Sequence, residues 1–483
     1  MHTDVYFEAS EDLMQRFKLI SLNLVCILLL AYFMVLAWQR VVSSTPYFAN
    51  DYKTFYTSLY ANKNIYSAHY YSRVLSIIHK KDKITMRITP KISSINMNTP
   101  IMNVFLKGLV NVSNRLPVST FAWMMLSLVG ATISLGLMVR YYDPLGINRY
   151  NFIPFLFMLW LSWPSLYNLK LGEVAYFVLP LVCGGFLLMH LKRWRTMTII
   201  LALLASVKLF FLIFILLFIL KRQWRLMGLF IFSFLIFFFL PLLYFPWSDY
   251  VAFYHLSQNY PVFIDRCMLP MNASLLGVIA HIIVMTHHKI NLIFVRMMTA
   301  SICLLVMMLF VMYDHLRLRH LPVFSDELRF SFLIIFSLLC SPLGWDYYFL
   351  FLLVPVVLIF KIARQYALSK MVYVFLPLAL FLPYFAWAIG TSTVVSYLQN
   401  FSVFAALISW LLCLLCASGA VARAHNQLPK QQENLVGIFV IFSLINVLLL
   451  QFNYGISYFF DLNQRAYLEQ VAPVVQMHSD PIL

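Results

Sequence analysis

Long apolar runs alternate with short polar loops along this chain, and the lengths of those runs set the first expectation. The stretch "LISLNLVCILLLAYFMVLAW" (19–38) supplies the ~20 apolar residues a helix needs to cross the hydrocarbon core of a bilayer. Comparable runs predict spans near 19–39, 119–139, 152–167, 174–191, 226–246, 290–313, 328–341, 349–361, 371–389, 401–422 and 435–453. In lipid every backbone polar group must find a partner within its own segment, so these runs are expected to be helices. The first run is too long for the core of a cleavable signal and no A-x-A-like site follows it, so it is expected to remain a span.

One stretch breaks the pattern. "LKRWR" (191–195) and "LKRQWR" (220–225) bracket apolar residues 196–220, and both brackets carry the basic character of a cytoplasmic loop. A single crossing cannot have both ends on one side. The alternatives are one ordinary span or two short helices meeting near "SVKLF" with Lys208 at the apex. With the hairpin, the expected fold is an all-α polytopic membrane protein of about 12–13 transmembrane helices.

Composition agrees. The chain is 62% hydrophobic and 11% charged, against ~25% charged for soluble domains. Its net charge of +17 would suggest nucleic acid in a soluble protein. Here it is read as topology, because Lys and Arg collect in cytoplasmic loops. Residues 1–18 form a cytoplasmic tail, 40–118 a long outer loop and 454–483 an outer tail. The outer loop is itself basic, as in "HKKDKITMRITPK" (79–91), and long loops translocate largely regardless of charge. That cluster either meets phosphate groups at the outer leaflet or simply keeps the loop solvated. The seven cysteines fall mainly inside apolar runs and carry no functional reading.

Candidate chemistry concentrates at the outer ends of the spans. In "FANDYKTFYTSLYANKNIY" (48–66) Asn50 can cap a helix whose first turn holds Asp51, where the helix dipole favours an ionised carboxylate. Tyr52, Tyr56 and Tyr60 recur every four residues as an aromatic stripe, expected at headgroup level on a helix lying flat on the membrane. Asp51 is either a cap or a base placed to take a proton from a hydroxyl. Lys170 and Glu173 share a short outer turn and either neutralise each other or serve a ligand. Lys208 stands among apolar residues, where an ammonium costs a few kcal/mol without a partner, and a phosphate would be a natural one. The loop 245–277 offers Asp249, His255, Asp265, Arg266 and Asn272. The turn "CSPLGWDYYFLF" (340–351) offers Trp345, Asp346, Tyr347 and Tyr348, either a sugar-stacking site or an interface belt. No Gly-rich phosphate loop, HExxH or GxSxG stands in the sequence. A nucleotide, a metal and a cofactor are therefore not expected.

The order of these segments, over about residues 45 to 360, resembles glycosyltransferase family 87, whose members have the GT-C membrane fold. The stretch "NDYKTFYTSLYANKNIY" is similar to the family's opening acid on an aromatic helix, and "NTPIMNVFLKGL" (98–109) to its proline-containing loop helix. "LKLGEVAYFVLPL" resembles its Leu-x-x-Gly-Gln segment, and "ASVKLFFLIFILLFILKRQWR" its apolar segment with a central Lys. "NASLLG" resembles its Asn-x-Ser-Leu motif, and "CSPLGWDYYF" its Ser-Pro-x-x-Trp segment. The sequence departs from the family in having Glu173 where Gln is common, Leu209 and Phe210 where Pro often follows the Lys, and Tyr347 and Tyr348 where His is usual.

The resemblance implies a GT-C catalytic membrane module over 19–361 and additional C-terminal helices over 362–453. It implies an inverting, metal-independent transfer of a sugar, mannose or another hexose or pentose, from a polyprenyl-phosphate donor to a hydroxyl of a lipid or envelope glycan acceptor. That reaction belongs at the outer face of a bacterial inner membrane. Asp51 would be the catalytic base. Lys208, Lys170 and Tyr348 would hold the donor phosphate. Tyr52, Tyr56, Glu173, Asn272, Trp345, Asp346 and Tyr347 would line the substrate site. A flippase for lipid-linked glycans, using the same basic and aromatic outer cavity, is the alternative. A structural partner in envelope assembly, with Asp51 as a mere cap, is a third reading.

Overall fold

The computed structural model describes residues 98–112, 116–142, 162–258, 272–285, 292–388 and 393–423, together with single positions before residue 98 and at 156, 159 and 160. The described residues are helical throughout, apart from turns and one isolated antiparallel bridge between Asn272 and Trp345. Five described helices are long and apolar enough to cross a membrane: Val118–Tyr142, Trp224–Leu243, Phe294–His320, Asp346–Ala363 and Leu398–Arg423. Their lipid-facing character shows in bare apolar faces such as Phe232, Leu235, Phe294, Met297 and Met308. The same holds for Leu24, Leu28 and Val35, helical positions within the first expected span. The expected span 435–453, the two tails and the basic cluster 79–91 lie outside the described residues.

Helices in lipid associate by van der Waals packing, which rewards small residues that let backbones approach. Leu116–Tyr142 packs on Ala175–His190 through Gly130, where a Cβ would lie 3.1 Å from the Tyr176 carbonyl oxygen. Ala175–His190 packs on Trp194–Val207 through Gly185, where a Cβ would lie 3.1 Å from Leu201 Cδ2. Between these helices the core is aromatic: Phe330 of Ser325–Cys340 has its ring centroid 4.7 Å from that of Phe214 and 5.5 Å from that of Phe186.

The stretch 196–220 is two short segments. Helix Trp194–Val207 stops at Lys208, and a 3-10 turn, Leu209–Phe214, leads into Ile215–Leu220. The basic brackets form matching turns, with Lys192 and Arg222 in the left-handed region at φ 59° and 54°. Both turns reach one carboxylate. Lys221 Nζ lies 2.7 Å from Asp326 and Lys192 Nζ 3.4 Å from it. The two ends of the stretch therefore lie at one end of the bundle, as the hairpin reading requires. Arg329 completes the cluster, 3.1 Å from Asp326 and 2.5 Å from Asp314.

Three sequence expectations shift. The outer turn placed between 167 and 174 is largely helical: Trp163–Leu171 runs to Gly172, whose φ of 70° closes the helix. The outer turn ending at 348 is instead entered by a buried 3-10 helix, Asp346–Leu352, that continues into Leu353–Gln365. Of the aromatic stripe beside Asp51, Tyr52 and Tyr56 face protein rather than lipid headgroups, and Tyr60 lies outside the described residues. Tyr52, Phe55, Tyr56 and Leu59 are all buried, because positions i, i+1, i+4, i+5 and i+8 of a helix share one face and that face docks on the bundle.

Candidate active site

The hairpin apex is built by a helix that cannot continue. Ser206 turns its hydroxyl back on the Leu203 carbonyl (2.7 Å), a bond that competes with the helical ladder. Lys208 then adopts extended angles (φ −136°, ψ 105°). The Val207 carbonyl is left without a helical partner, and the hydroxyl of Thr99 donates to it at 3.0 Å. Thr99 precedes Pro100, the first residue of helix Pro100–Val112, a position where proline's fixed φ and missing N–H are tolerated. The same short segment is secured by Tyr66, whose hydroxyl donates to the Asn98 carbonyl (2.9 Å), and by Asn103 Nδ2, which donates to the Tyr66 hydroxyl (3.0 Å).

Lys208 is largely but not fully buried, with 12% of its side chain exposed. Its ammonium donates to Asn98 Oδ1 at 3.4 Å, lies 3.9 Å from Glu173 Oε2, and sits 5.3 Å from the centroid of the Tyr348 ring. The ring of Tyr347 meets that of Tyr348 edge to face, 4.6 Å between centroids. Tyr347 in turn donates to Glu173 Oε1 at 3.2 Å. Lys208, Tyr348, Tyr347 and Glu173 thus form one polar and aromatic cluster inside the membrane domain. A buried ammonium without such partners would cost several kcal/mol. Tyr347 and Tyr348 supply hydroxyls and a ring face, so the site gains donors without gaining charge.

Glu173 is fixed from behind. It follows the left-handed Gly172, and the Val174 amide donates to its Oε2 at 2.9 Å at the start of Ala175–His190. Its partners include Lys208, Tyr347 and that amide. Lys208, reaching it from across the bundle, is a charged partner of Glu173. Lys170 lies in Trp163–Leu171, and its side chain is outside the described residues.

Asp51 is half-buried, the first of the described helical positions 51, 52, 55, 56 and 59. It stands within electrostatic reach of both Lys208 and Tyr347. Its helix is set by Tyr52, whose ring stacks on Trp123 (5.4 Å between centroids, 13° between planes) and whose hydroxyl meets Ser119 Oγ at 2.5 Å. Trp123 Nε1 donates to the Gly172 carbonyl at 3.0 Å. The aromatic stripe and the turn carrying Glu173 are therefore one connected scaffold. Burial pushes the Tyr52 hydroxyl up to about 12, so it stays a neutral hydrogen-bonding group. Tyr56 packs 6.4 Å from Tyr52, as core rather than as a lining residue.

The loop leading to Tyr347 is pinned by Asn272. Its Oδ1 accepts from the Ser274 amide (3.1 Å) and the Gly344 amide (2.8 Å), and its Nδ2 donates to the Pro342 carbonyl (3.0 Å). Asn400 Nδ2 donates to the Asn272 carbonyl from helix Thr393–Arg423. Asn272 is fully buried, and these bonds make it a staple of the loop. Trp345 pairs with it and stacks on Tyr347 (6.0 Å, 13°). Asp346, fully buried, opens the 3-10 helix that presents Tyr347 and Tyr348. Asp249 and His255 lie in Trp247–Gln258, with burial holding the Asp249 carboxyl above its usual range. Asp265 and Arg266 lie outside the described residues.

The structure brings Asp51, Glu173, Lys208, Tyr347 and Tyr348 together from segments scattered over about three hundred residues. It adds Asn98 and Thr99, which sequence reading did not single out, although Asn-Thr before a helix-opening Pro is a recognisable start signal. Residues 104–342 match the family model described as glycosyltransferase family 87. That stretch contains Glu173, Lys208 and Asn272, while Asp51, Asn98 and Trp345–Tyr348 flank it. No curated protein and no solved structure matches the chain.

Proposed function

The chain belongs to glycosyltransferase family 87 and is a multi-pass membrane glycosyltransferase, and from that premise we propose that it moves a sugar from a polyprenyl-phosphate donor to a hydroxyl of a lipid or envelope glycan acceptor. The reaction is placed at the outer face of a bacterial inner membrane. The observation that carries this reading is the nearness of Asp51 to Lys208: a half-buried carboxylate within electrostatic reach of a largely buried ammonium at a broken helix.

The chemistry needs one base and one anion-stabilising group. Asp51 takes the proton of the acceptor hydroxyl, and a positioned base contributes roughly 10²–10⁴-fold. The acceptor oxygen bonds to the anomeric carbon from the face opposite the phosphate, which inverts that centre. The bond between the anomeric carbon and the phosphate oxygen breaks, and its electron pair stays on the phosphate. Lys208, with the Tyr348 hydroxyl beside it, meets the charge that develops there in a water-poor site. Asn98 and Glu173 hold the ammonium in place. Trp345 and Tyr347 offer aromatic faces to the sugar, and Lys170 is a second candidate for the phosphate. Prenyl chains are apolar and the described helices present apolar outer faces, so the lipid tail needs no dedicated polar lining.

The test is sugar transfer from a labelled polyprenyl-phosphate hexose by the purified protein in nanodiscs. Asp51→Asn should lose at least about 10²-fold in kcat while keeping its melting temperature. Undiminished transfer by that variant overturns the base assignment. Movement of the lipid-linked sugar across the bilayer without any transfer would favour the transporter reading instead.

A further inference from the structure

Of the described charged side chains around the hairpin apex, two are carboxylates, Asp51 and Glu173, and one is an ammonium, Lys208. A donor phosphate therefore arrives at a cation that already has a partner. That partner is not free to leave. Glu173 Oε2 is held by the Val174 amide at 2.9 Å and Oε1 by the Tyr347 hydroxyl at 3.2 Å. The ammonium, for its part, is shared rather than fully committed: 3.9 Å from Glu173, 3.4 Å from Asn98 Oδ1, and 5.3 Å from the centroid of the Tyr348 ring.

Resting on the donor reading above, we infer that Glu173 is a resident counter-ion of Lys208 that competes with the lipid phosphate, keeping the ammonium in register while the site is empty and loosening its hold on the spent phosphate. Transfer converts a phosphodiester with one negative charge into a phosphomonoester that carries up to two near neutral pH. A fixed carboxylate beside the ammonium repels the second form more than the first. Glu173 is thus a positioning residue whose charge favours exchange of product for fresh donor. An uncharged amide in its place would remove that competing charge.

Equilibrium binding of farnesyl phosphate, inorganic phosphate and farnesol to the full-length protein in detergent tests this. Glu173→Gln should bind farnesyl phosphate about tenfold or more tightly than the wild-type protein, with farnesol unchanged, and farnesyl phosphate should become a correspondingly stronger inhibitor of transfer. A residue of merely structural importance would weaken binding when replaced. Unchanged or weaker farnesyl phosphate binding by a folded Glu173→Gln protein overturns the inference. If that variant does not fold, Tyr347→Phe frees one carboxylate oxygen while keeping the charge. It should tighten farnesyl phosphate binding by a smaller factor, and no change there is equally fatal. Inorganic phosphate should bind more weakly than farnesyl phosphate throughout, and equal binding would assign the site to a free anion instead of a lipid headgroup. A wild-type protein that binds no farnesyl phosphate sinks the donor reading itself, an outcome separate from any difference between variants.

Discussion

The hydroxyl of Thr99 donates to the main-chain carbonyl of Val207 at 3.0 Å, joining two segments 108 positions apart. That bond ties the segment preceding Pro100–Val112 to the apex of the intramembrane hairpin, one residue before Lys208. It fills the acceptor that the broken helix leaves open, and it brings Asn98 alongside the ammonium.

Thr99→Val should therefore act at a distance from the reacting atoms. It leaves a buried carbonyl unsatisfied, which costs about 1–3 kcal/mol. The expected result is a lower melting temperature in detergent and a raised KM for the donor. Asn98→Ala removes only the side-chain acceptor of Lys208 and should raise KM with a smaller loss of stability. Thermal melts and steady-state kinetics on the two variants separate the effects.

Lys208→Met should keep the length of the side chain and lose its charge. Removing a preorganised group that meets developing charge typically lowers kcat about 10²–10³-fold. The loss should fall on kcat rather than on acceptor KM. Lys208→Arg should recover part of the rate, because the charge remains while the geometry differs.

Gly344→Ala should disturb the loop that presents Tyr347 and Tyr348. The added Cβ would lie 2.4 Å from the Leu338 carbonyl oxygen and 3.2 Å from the Ser274 amide nitrogen. Backbone atoms cannot yield as a flexible side chain can. A loss of roughly 1–3 kcal/mol and a sharp fall in transfer are expected, measured by melting and by activity in the same preparation.

At the other end of the bundle Asp326 gives a pH signature. Burial raises its carboxyl, but Lys221, Lys192 and Arg329 outweigh burial and hold it below the usual carboxylate range. A carboxylate whose folded value is depressed contributes stability above its unfolded value, ~3.9. That contribution is lost as pH falls through the folded value. Burial likewise sets the Lys221 ammonium below the usual lysine range, but its window is alkaline and leaves the acid limb untouched. Melting curves between neutral pH and about pH 3 should show Asp326→Asn less stable at neutral pH and flatter on the acid side than the wild-type protein.

How much was legible follows the range of the forces involved. The spans and the hairpin could be read because they depend on local composition. Twenty apolar residues must be helical in lipid, and two basic brackets around 25 residues cannot lie on opposite sides of one ordinary span without breaking the charge pattern. Asp51, Glu173, Lys208, Tyr347 and Tyr348 stood out because charge and hydroxyls are costly or unusual beside apolar runs. The Tyr52–Tyr56 stripe misled, since a period of four marks an apolar face without saying whether lipid or protein covers it.

By itself, then, the sequence determined an all-helical membrane protein, the break at Lys208 and the residue types available for anion chemistry, because each is a property of a short segment and its solvent. Only the tertiary structure decided that Glu173 meets Lys208 from across the bundle, that Asn272 staples a loop, and that Asn98 and Thr99 close on the hairpin. Those pairings join residues far apart in the chain, and which of many chemically suitable partners meet depends on how the helices stack through positions such as Gly130 and Gly185.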